Sequence, residues 1–389
     1  MHRIPIDETI VQAVLSEVLG EKLFHKYENG NLSKSELKPF CDKIVQLSEA
    51  FNTKNEELGK YLSNPEYLKS YSLYYMFPNI AKLSSLFSYL IKRNNLIESG
   101  KSYKVLEVGS GPGSGLLGFL NGVIYHNLLK SCSFDLTPLD FSRESVRMAE
   151  KILSKIEGGN ISVMPEPFDI TEKIPEENFD IIIMANVINE LFRDDEEKTS
   201  KRAQLLNDIK KNMREAGVVV IIEPSLKKTS RELIELRNLL IKEKILYPVL
   251  PCTHTNFCPL STPEHEDGWC HESYFWDAPA IIDQVDEITG FNKHHVKFSY
   301  LVLKKVREKN NSDKYYSLTS QHDAKGFSEL MACGENGCER FIYSHKKSKG
   351  EHSRVFKKIE KGDIFILKKG SSEGNPSRIY PDDYIEILD

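Results

Sequence analysis

Apolar runs separated by polar, helix-patterned stretches organise the middle of the chain. Lys104-Val105-Leu106-Glu107-Val108, Phe134-Asp135-Leu136-Thr137-Pro138-Leu139, Ile161-Ser162-Val163-Met164, Phe179 to Ala185 and Gly217 to Pro224 read as strands, with helical patterns from Ser114 and through Ser145 to Glu150. Near-continuous apolar strands suit a parallel sheet covered on both faces. The expected fold class is therefore α/β, a doubly wound Rossmann-like domain from about Ser102 to Phe298. Upstream, Ile10, Val14, Val18 and Leu19 repeat near helical spacing, and Tyr67 to Ile91 is dense in apolar and aromatic residues. Glu28-Asn29-Gly30-Asn31 marks a turn between early helices. Downstream, Phe341-Ile342-Tyr343 and Asp363 to Leu367, broken by glycines and lysines, predict a small β-rich appendage. The expected organisation is a helical region over 1–100, an α/β domain over 101–303 that includes a cysteine loop at 251–276, and a basic β-rich unit over 304–389.

Chemistry enters at the first strand, which runs into Gly109-Ser110-Gly111-Pro112-Gly113. Glycines there allow positive φ and close backbone approach, and the amides beyond open a helix. The spacing is GxGxG, with Ser114 in the third glycine's place of the dinucleotide pattern GxGxxG, which favours S-adenosylmethionine over NAD. Glu107 would then accept hydrogen bonds from the cofactor's ammonium, directly or through water. Asp140, at the tip of the second strand, is placed to grip a ribose diol, and Asp169 to reach an adenine edge. Ser110 and Asn186 complete the candidate cofactor contacts. The alternatives are an ordinary tight strand-to-helix turn and, for Asp140 and Asp169, solvated loop acids.

Seven cysteines, with no secretory pattern and no long apolar run, predict a soluble intracellular protein of the cytoplasm, with reduced thiols serving as ligands or core fillers and no membrane association. Cys41 and Cys132 read as packing residues. Cys252, Cys258 and Cys270 share a segment too rich in turn formers to hold itself by packing, and Cys333 and Cys338 follow downstream. Four dispersed thiolates fit a structural zinc or a [4Fe-4S] cluster, and His254, His265 and His271 keep a mixed Cys/His zinc site open.

These residues resemble the methyltransferase-like proteins associated with the ribosomal small subunit of bacteria, archaea and mitochondria. The resemblance begins near Tyr75-Met76-Phe77-Pro78-Asn79-Ile80-Ala81 and runs through Leu106 to Gly113, Val187-Ile188-Asn189-Glu190-Leu191 and Ile222-Glu223-Pro224. Its most specific part is Pro251-Cys252-Thr253-His254 through Cys258-Pro259-Leu260, then Trp269-Cys270-His271, with Thr253 where the family has proline. It continues through Phe298 to Leu303, Cys333 to Gly337 and Gly362 to Phe365. The resemblance implies a [4Fe-4S] cluster on Cys252, Cys258, Cys270 and Cys333, with Cys338 as the alternative fourth ligand and His254 and His271 as donors to sulfur. It also implies RNA or the ribosomal small subunit as partner, with no DNA.

Whether methyl transfer occurs is left open by the residues themselves. The segment after the fourth strand is Ala185-Asn186-Val187-Ile188-Asn189-Glu190-Leu191, where an exocyclic-amine methylase would carry Asn-Pro-Pro-Tyr, and no paired cysteines suit a pyrimidine C5 nucleophile. Transfer from a sulfonium needs little beyond positioning. Glu190 is the candidate base or substrate-orienting group, the alternative being a helix-capping acid. Net charge is -5, yet residues 301–370 hold 16 Lys and Arg against 9 Asp and Glu, densest from Lys346 to Lys369. That excess is the footprint of phosphate contact, or of a solvated face. The leading expectation is an S-adenosylmethionine-dependent methyltransferase acting on ribosomal RNA or a small-subunit particle; the others are a non-catalytic iron-sulfur assembly factor and a small-molecule methyltransferase with structural zinc.

Overall fold

A computed structural model describes residues 3–53, 63–372 and 374–388. The chain divides into two compact units, one formed by residues 2–187 and 274–296, the other by 188–273 and 297–389.

In the first unit, α1 (Glu8–Glu28), α2 (Lys34–Thr53), α3 (Pro65–Tyr74) and α4 (Met76–Asn94) precede the strands. Ile10, Val14, Val18 and Leu19 are all buried on α1, as their spacing requires. Asp7 caps α1 by accepting from Thr9 N at 2.9 Å, and Asn64 caps α3 in the same way. Then follow β1 (Ser102–Val108), α5 (Ser114–Tyr125), β2 (Ser133–Leu139), α6 (Arg143–Leu153), β3 (Asn160–Val163) and β4 (Phe179–Ala185). These strands are parallel in the order β3-β2-β1-β4. Alternating strands and helices with β1 central give the expected Rossmann-like α/β arrangement, and they bring the ends of β1 and β2 side by side. Gly118 and Gly122 let α5 lie close to α4: a Cβ on Gly118 would fall 2.6 Å from that of Leu83.

The second unit contains α7 (Lys198–Lys211), β5 (Met213–Pro224), α8 (Lys227–Lys242) and β6 (Tyr247–Leu250). The chain then passes through β7 (Glu272–Phe275) and, within the first unit's residues 274–296, α9 (Ala280–Thr289) before β8 (His295–Lys304), which pairs antiparallel with both β5 and β6. The apolar runs did not foretell this antiparallel portion, because burial on both faces erases the alternation that would distinguish it. The remainder is β9 (Lys314–Ser317), β10 (His322–Ala324), β11 (Phe327–Gly334), β12 (Gly337–Ser344), β13 (Ile364–Lys368), β14 (Arg378–Ile379) and β15 (Tyr384–Leu388). They form a second sheet in the order β14-β12-β11-β9-β13-β15, with β10 beside β11. Its core gathers Tyr315, Phe341, Tyr343, Phe356 and Phe365. Among the described residues no helix is long and apolar enough to cross a membrane.

Candidate functional site

The turn from β1 into α5 is built on left-handed glycines: φ is 62° at Gly109, 49° at Gly111 and 89° at Gly113. A Cβ on Gly109 would lie 2.6 Å from Val187 Cγ2, and one on Gly113 would lie 3.1 Å from Ala149 Cβ. Two of the three are therefore required by packing as well as by φ. Gly111 donates its amide to Asp140 Oδ2 at 2.9 Å, and Ser142 N donates to Oδ1 at 2.9 Å. Ser110 is buried, its amide bonded to Leu139 O at 2.9 Å.

Glu107 is fully buried, and its oxygens accept from Gly115 N at 2.7 Å and Leu116 N at 3.0 Å. It thus ties down the first turn of α5, where two amides lack helical partners. Burial pushes its carboxyl up to about 8 against those two amide bonds. Asp140 is also raised, chiefly by burial and in smaller part by the charge of Asp169. Asp169 accepts from Thr171 N and Oγ1, both at 2.8 Å. Asn186, at the end of β4, is left-handed at φ 58°. The first unit therefore contains every candidate cofactor residue.

Glu190 belongs to the other unit, exposed in a turn ahead of α7. The helix-capping alternative fails, since the residue flanking α7 is Glu197. Sequence reasoning missed what holds this turn. Glu223, at the end of β5, is 1% exposed and accepts from Asn189 N at 3.3 Å and from Asn189 Nδ2. Buried Arg202 donates to Leu191 O at 2.9 Å and Asn189 O at 3.2 Å, and pairs with Glu232 at 2.9 Å. Burial raises Glu223 to about 8, with Glu190 adding to the rise.

Cys252, Cys258, Cys270 and Cys333 line one cavity of the second unit, with Leu233, Ile234, Arg237, Tyr300 and Leu318. Cys338, opposite Cys333 across the β11-β12 hairpin, is not in that lining and packs with Ile234, Cys258 and Leu260. Burial pushes the Cys258 thiol up to about 11 and also raises Cys270 well above the usual thiol range. Among the described residues no three His, Cys, Asp or Glu side chains are grouped so as to hold a metal ion. The four cysteines share one cavity lining, and neither the zinc nor the iron-sulfur expectation finds a preformed ligand set there among the described residues.

The histidines divide. Buried His254 accepts from Asn256 N through Nδ1 at 3.2 Å, which leaves its Nε2 proton facing Cys333 Sγ at 3.5 Å. Burial lowers its pKa to about 4, with the Arg237 charge adding to the effect. His271 is not a donor to sulfur as expected: its Nδ1 bonds Trp269 O at 3.2 Å and its Nε2 accepts from Lys361 Nζ at 2.7 Å. His265 closes a short helical turn. The mixed Cys/His zinc alternative thus loses free nitrogens on His254 and His271.

The cysteine loop was expected to lack any support but metal, and α8 supplies another. Arg231 Nη1 donates to Leu260, His265, Glu266 and Gly268 carbonyls at 3.0 to 3.2 Å. Arg237 reaches His254 O at 2.8 Å and Asn256 O, and Asn238 accepts from Cys258 N at 3.0 Å. Cys41 and Cys132 are buried as packing residues.

In the basic segment, Lys346, Lys347 and Lys349 are exposed, whereas Lys361 bonds His271 and Lys369 pairs with Asp383 at 3.1 Å.

Solved structures with some similarity include a TehB-like SAM-dependent methyltransferase from Corynebacterium glutamicum, 20% identical over 36% of this chain and 62% of that one, with a TM-score of 0.24. A magnesium protoporphyrin IX methyltransferase from Synechocystis is 9% identical over 58% and 79% of the two chains, with a TM-score of 0.33. A methyltransferase from Pyrococcus furiosus is 14% identical over 57% and 82%, with a TM-score of 0.32. The chain thus spans 62% of the length of the first of these. No curated protein matches it. The model of one family matches residues 69–366, from α3 through the glycine turn and the cysteine loop to β13. By that match the chain belongs to the family described as mitochondrial small ribosomal subunit Rsm22.

Proposed function

We propose that the protein is an S-adenosylmethionine-dependent methyltransferase acting on ribosomal RNA or a ribosomal small-subunit particle, with a structural [4Fe-4S] cluster on Cys252, Cys258, Cys270 and Cys333. The observation that carries the reading is the left-handed glycine turn from β1 into α5, beside Asp140 at the tip of β2. Gly111 and Ser142 use part of Asp140's accepting capacity, and its remaining lone pairs suit a ribose diol. Bound cofactor would supply the electrophilic methyl group. Asp169 would stand by the adenine, Glu107 would brace the turn against α5, and Asn186 would border the site. Glu190, steadied by Asn189, Glu223 and Arg202, is the candidate orienting group for the acceptor.

Four thiols around one cavity, a neutral His254 facing Cys333 and a buried guanidinium suit a cluster better than a single ion. The family's description supports a ribosomal partner. It names a mitochondrial particle, so the compartment we propose is a reducing one, without preference for the cytoplasm.

The test is anaerobic purification, then incubation with labelled S-adenosylmethionine and a panel of cellular RNA, ribosomal subunits and protein. Label in small-subunit RNA supports the reading. Tight cofactor binding with no label transferred to any fraction would replace it with a non-catalytic assembly factor, and label only in small molecules would refute the RNA substrate. Gly111→Val, which forces a branched side chain to φ near 49°, should abolish cofactor binding in calorimetry with the fold retained.

A further inference from the structure

Arg237 stands on α8, is 1% exposed, and lines the same cavity as the four thiols. Its bonded partners are all neutral: His254 O at 2.8 Å, Asn238 Oδ1 at 2.8 Å and Asn256 O. Its Nε is buried with no partner at all. A guanidinium stays charged under any ordinary condition, and a buried charge is retained where an opposite charge meets it. Glu335 acts on the neighbouring His254 but does not line the cavity, whereas the four thiols line it with Arg237 and can supply such a charge; Arg237 already acts on Cys258 and His254 electrostatically.

We propose that Arg237 is the buried counter-charge of the group held by Cys252, Cys258, Cys270 and Cys333, and that it sets the group's reduction potential; this rests on the cluster reading above. Four thiolates around a [4Fe-4S] core make a dianion, and one-electron reduction makes it a trianion. A fixed cation in a poorly polarisable setting favours the more negative state, so it raises the potential. Arg237 touches no substrate, so it is a positioning and tuning residue. Lys361, which acts on Cys270 but is only half-buried, should contribute less.

The experiment is redox poising of the anaerobically purified full chain, read by the paramagnetic signal of the reduced cluster, with iron and sulfide content measured alongside. Arg237→Gln should shift the reduced-to-oxidised ratio at a given potential about tenfold toward oxidised, equivalent to a midpoint lower by about 59 mV. Arg237→Lys keeps the charge and removes the Nε donor, so its ratio should stay within about threefold of wild type. An iron-loaded Arg237→Gln protein with an unchanged midpoint overturns the proposal. If that variant does not fold, the Lys variant decides: a full tenfold fall assigns the effect to N–H bonding and overturns the charge argument, and a retained midpoint supports it. Wild-type protein without iron or sulfide would sink the cluster reading itself, a result distinct from an unchanged midpoint.

Discussion

Replacing Gly115 by alanine tests whether Glu107 braces the cofactor turn. A Cβ at this position would lie 2.3 Å from Glu107 Oε1, 2.6 Å from its Cδ and 2.9 Å from Ile183 Cγ2. Ordinary contact begins near 3.4 Å, so the carboxylate must retreat by about 1 Å, in a site with no exposure to absorb it. That retreat stretches the bonds from Gly115 N and Leu116 N, now 2.7 and 3.0 Å. With its pKa raised to about 8 the carboxyl is largely neutral at neutral pH, so each amide bond is worth about 0.5–1.5 kcal/mol; the overpacking adds about 1–3 kcal/mol, and alanine regains about 1 kcal/mol of helix propensity. With partial loss of both bonds, Gly115→Ala should destabilise by roughly 2–3 kcal/mol in guanidinium unfolding and weaken cofactor binding in calorimetry. In a Glu107→Ala background only the contact with Ile183 Cγ2 remains, and the regained helix propensity offsets it, so the same change should cost about zero and the cycle should show roughly 2–3 kcal/mol of coupling. A single-variant cost below about 0.5 kcal/mol, or additive behaviour in the cycle, would refute the bracing role.

Serine at Cys252, Cys258 or Cys270 should strip iron and sulfide from the anaerobic protein and destabilise the unit that contains the loop, seen as loss of visible absorbance and a lower melting temperature; one equivalent of zinc without sulfide would contradict the cluster. Reversing Lys346, Lys347 and Lys349 to Glu should weaken RNA binding and flatten its dependence on salt, by about 0.7 in log-log slope for each phosphate no longer neutralised on single-stranded RNA, measured by filter binding; an unchanged slope would make these lysines a solvated face. Glu223, with its native pKa near 8 against 4.5 in the unfolded chain, contributes stability that is full below about 4.5 and lost as pH rises through 8. Glu223→Gln should therefore reduce the fall in stability between pH 5 and pH 8 by roughly 2–4 kcal/mol; melting curves with the wild-type pH slope would disprove that assignment.

The glycine turn and the helical spacing of α1 were legible because each rests on short-range physics, a φ requirement in one and a period in the other. Gly115 was not singled out: its φ is ordinary, and its requirement comes from a carboxylate eight residues earlier that folds back onto it. The antiparallel direction of β8 was hidden by uniform burial, and Gly20, which interrupts α1 at φ 71°, lay inside an otherwise helical pattern. The anchors of the cysteine loop were invisible for another reason. Arg231 and Asn238 flank the apolar stripe of α8 and Arg237 interrupts it, and nothing local shows that they meet backbone groups 17 to 37 residues further along the chain. Their signal was the loop itself, whose many carbonyls and few apolar residues demanded donors from elsewhere.

One device recurs at the strand ends and limits what any ligand can use. Glu107 in β1, Asp140 just after β2 and Glu223 in β5 are each buried, and each accepts hydrogen bonds from backbone amides: Gly115 and Leu116, Gly111 and Ser142, and Asn189. A carboxylate so placed costs desolvation, which is why all three are raised in pKa, and the amide bonds offset part of that cost. The return is a fixed loop, since moving the backbone would strand a buried acid. Acids at such positions are read from sequence as ligand contacts, yet Glu107 has given both oxygens to the helix it precedes. Under the proposed reading, recognition of a cofactor would fall to the backbone of the turn and to the lone pairs left on Asp140. Catalysis in such a site would depend less on any single titrating group than on how rigidly these buried acids hold the loops around it.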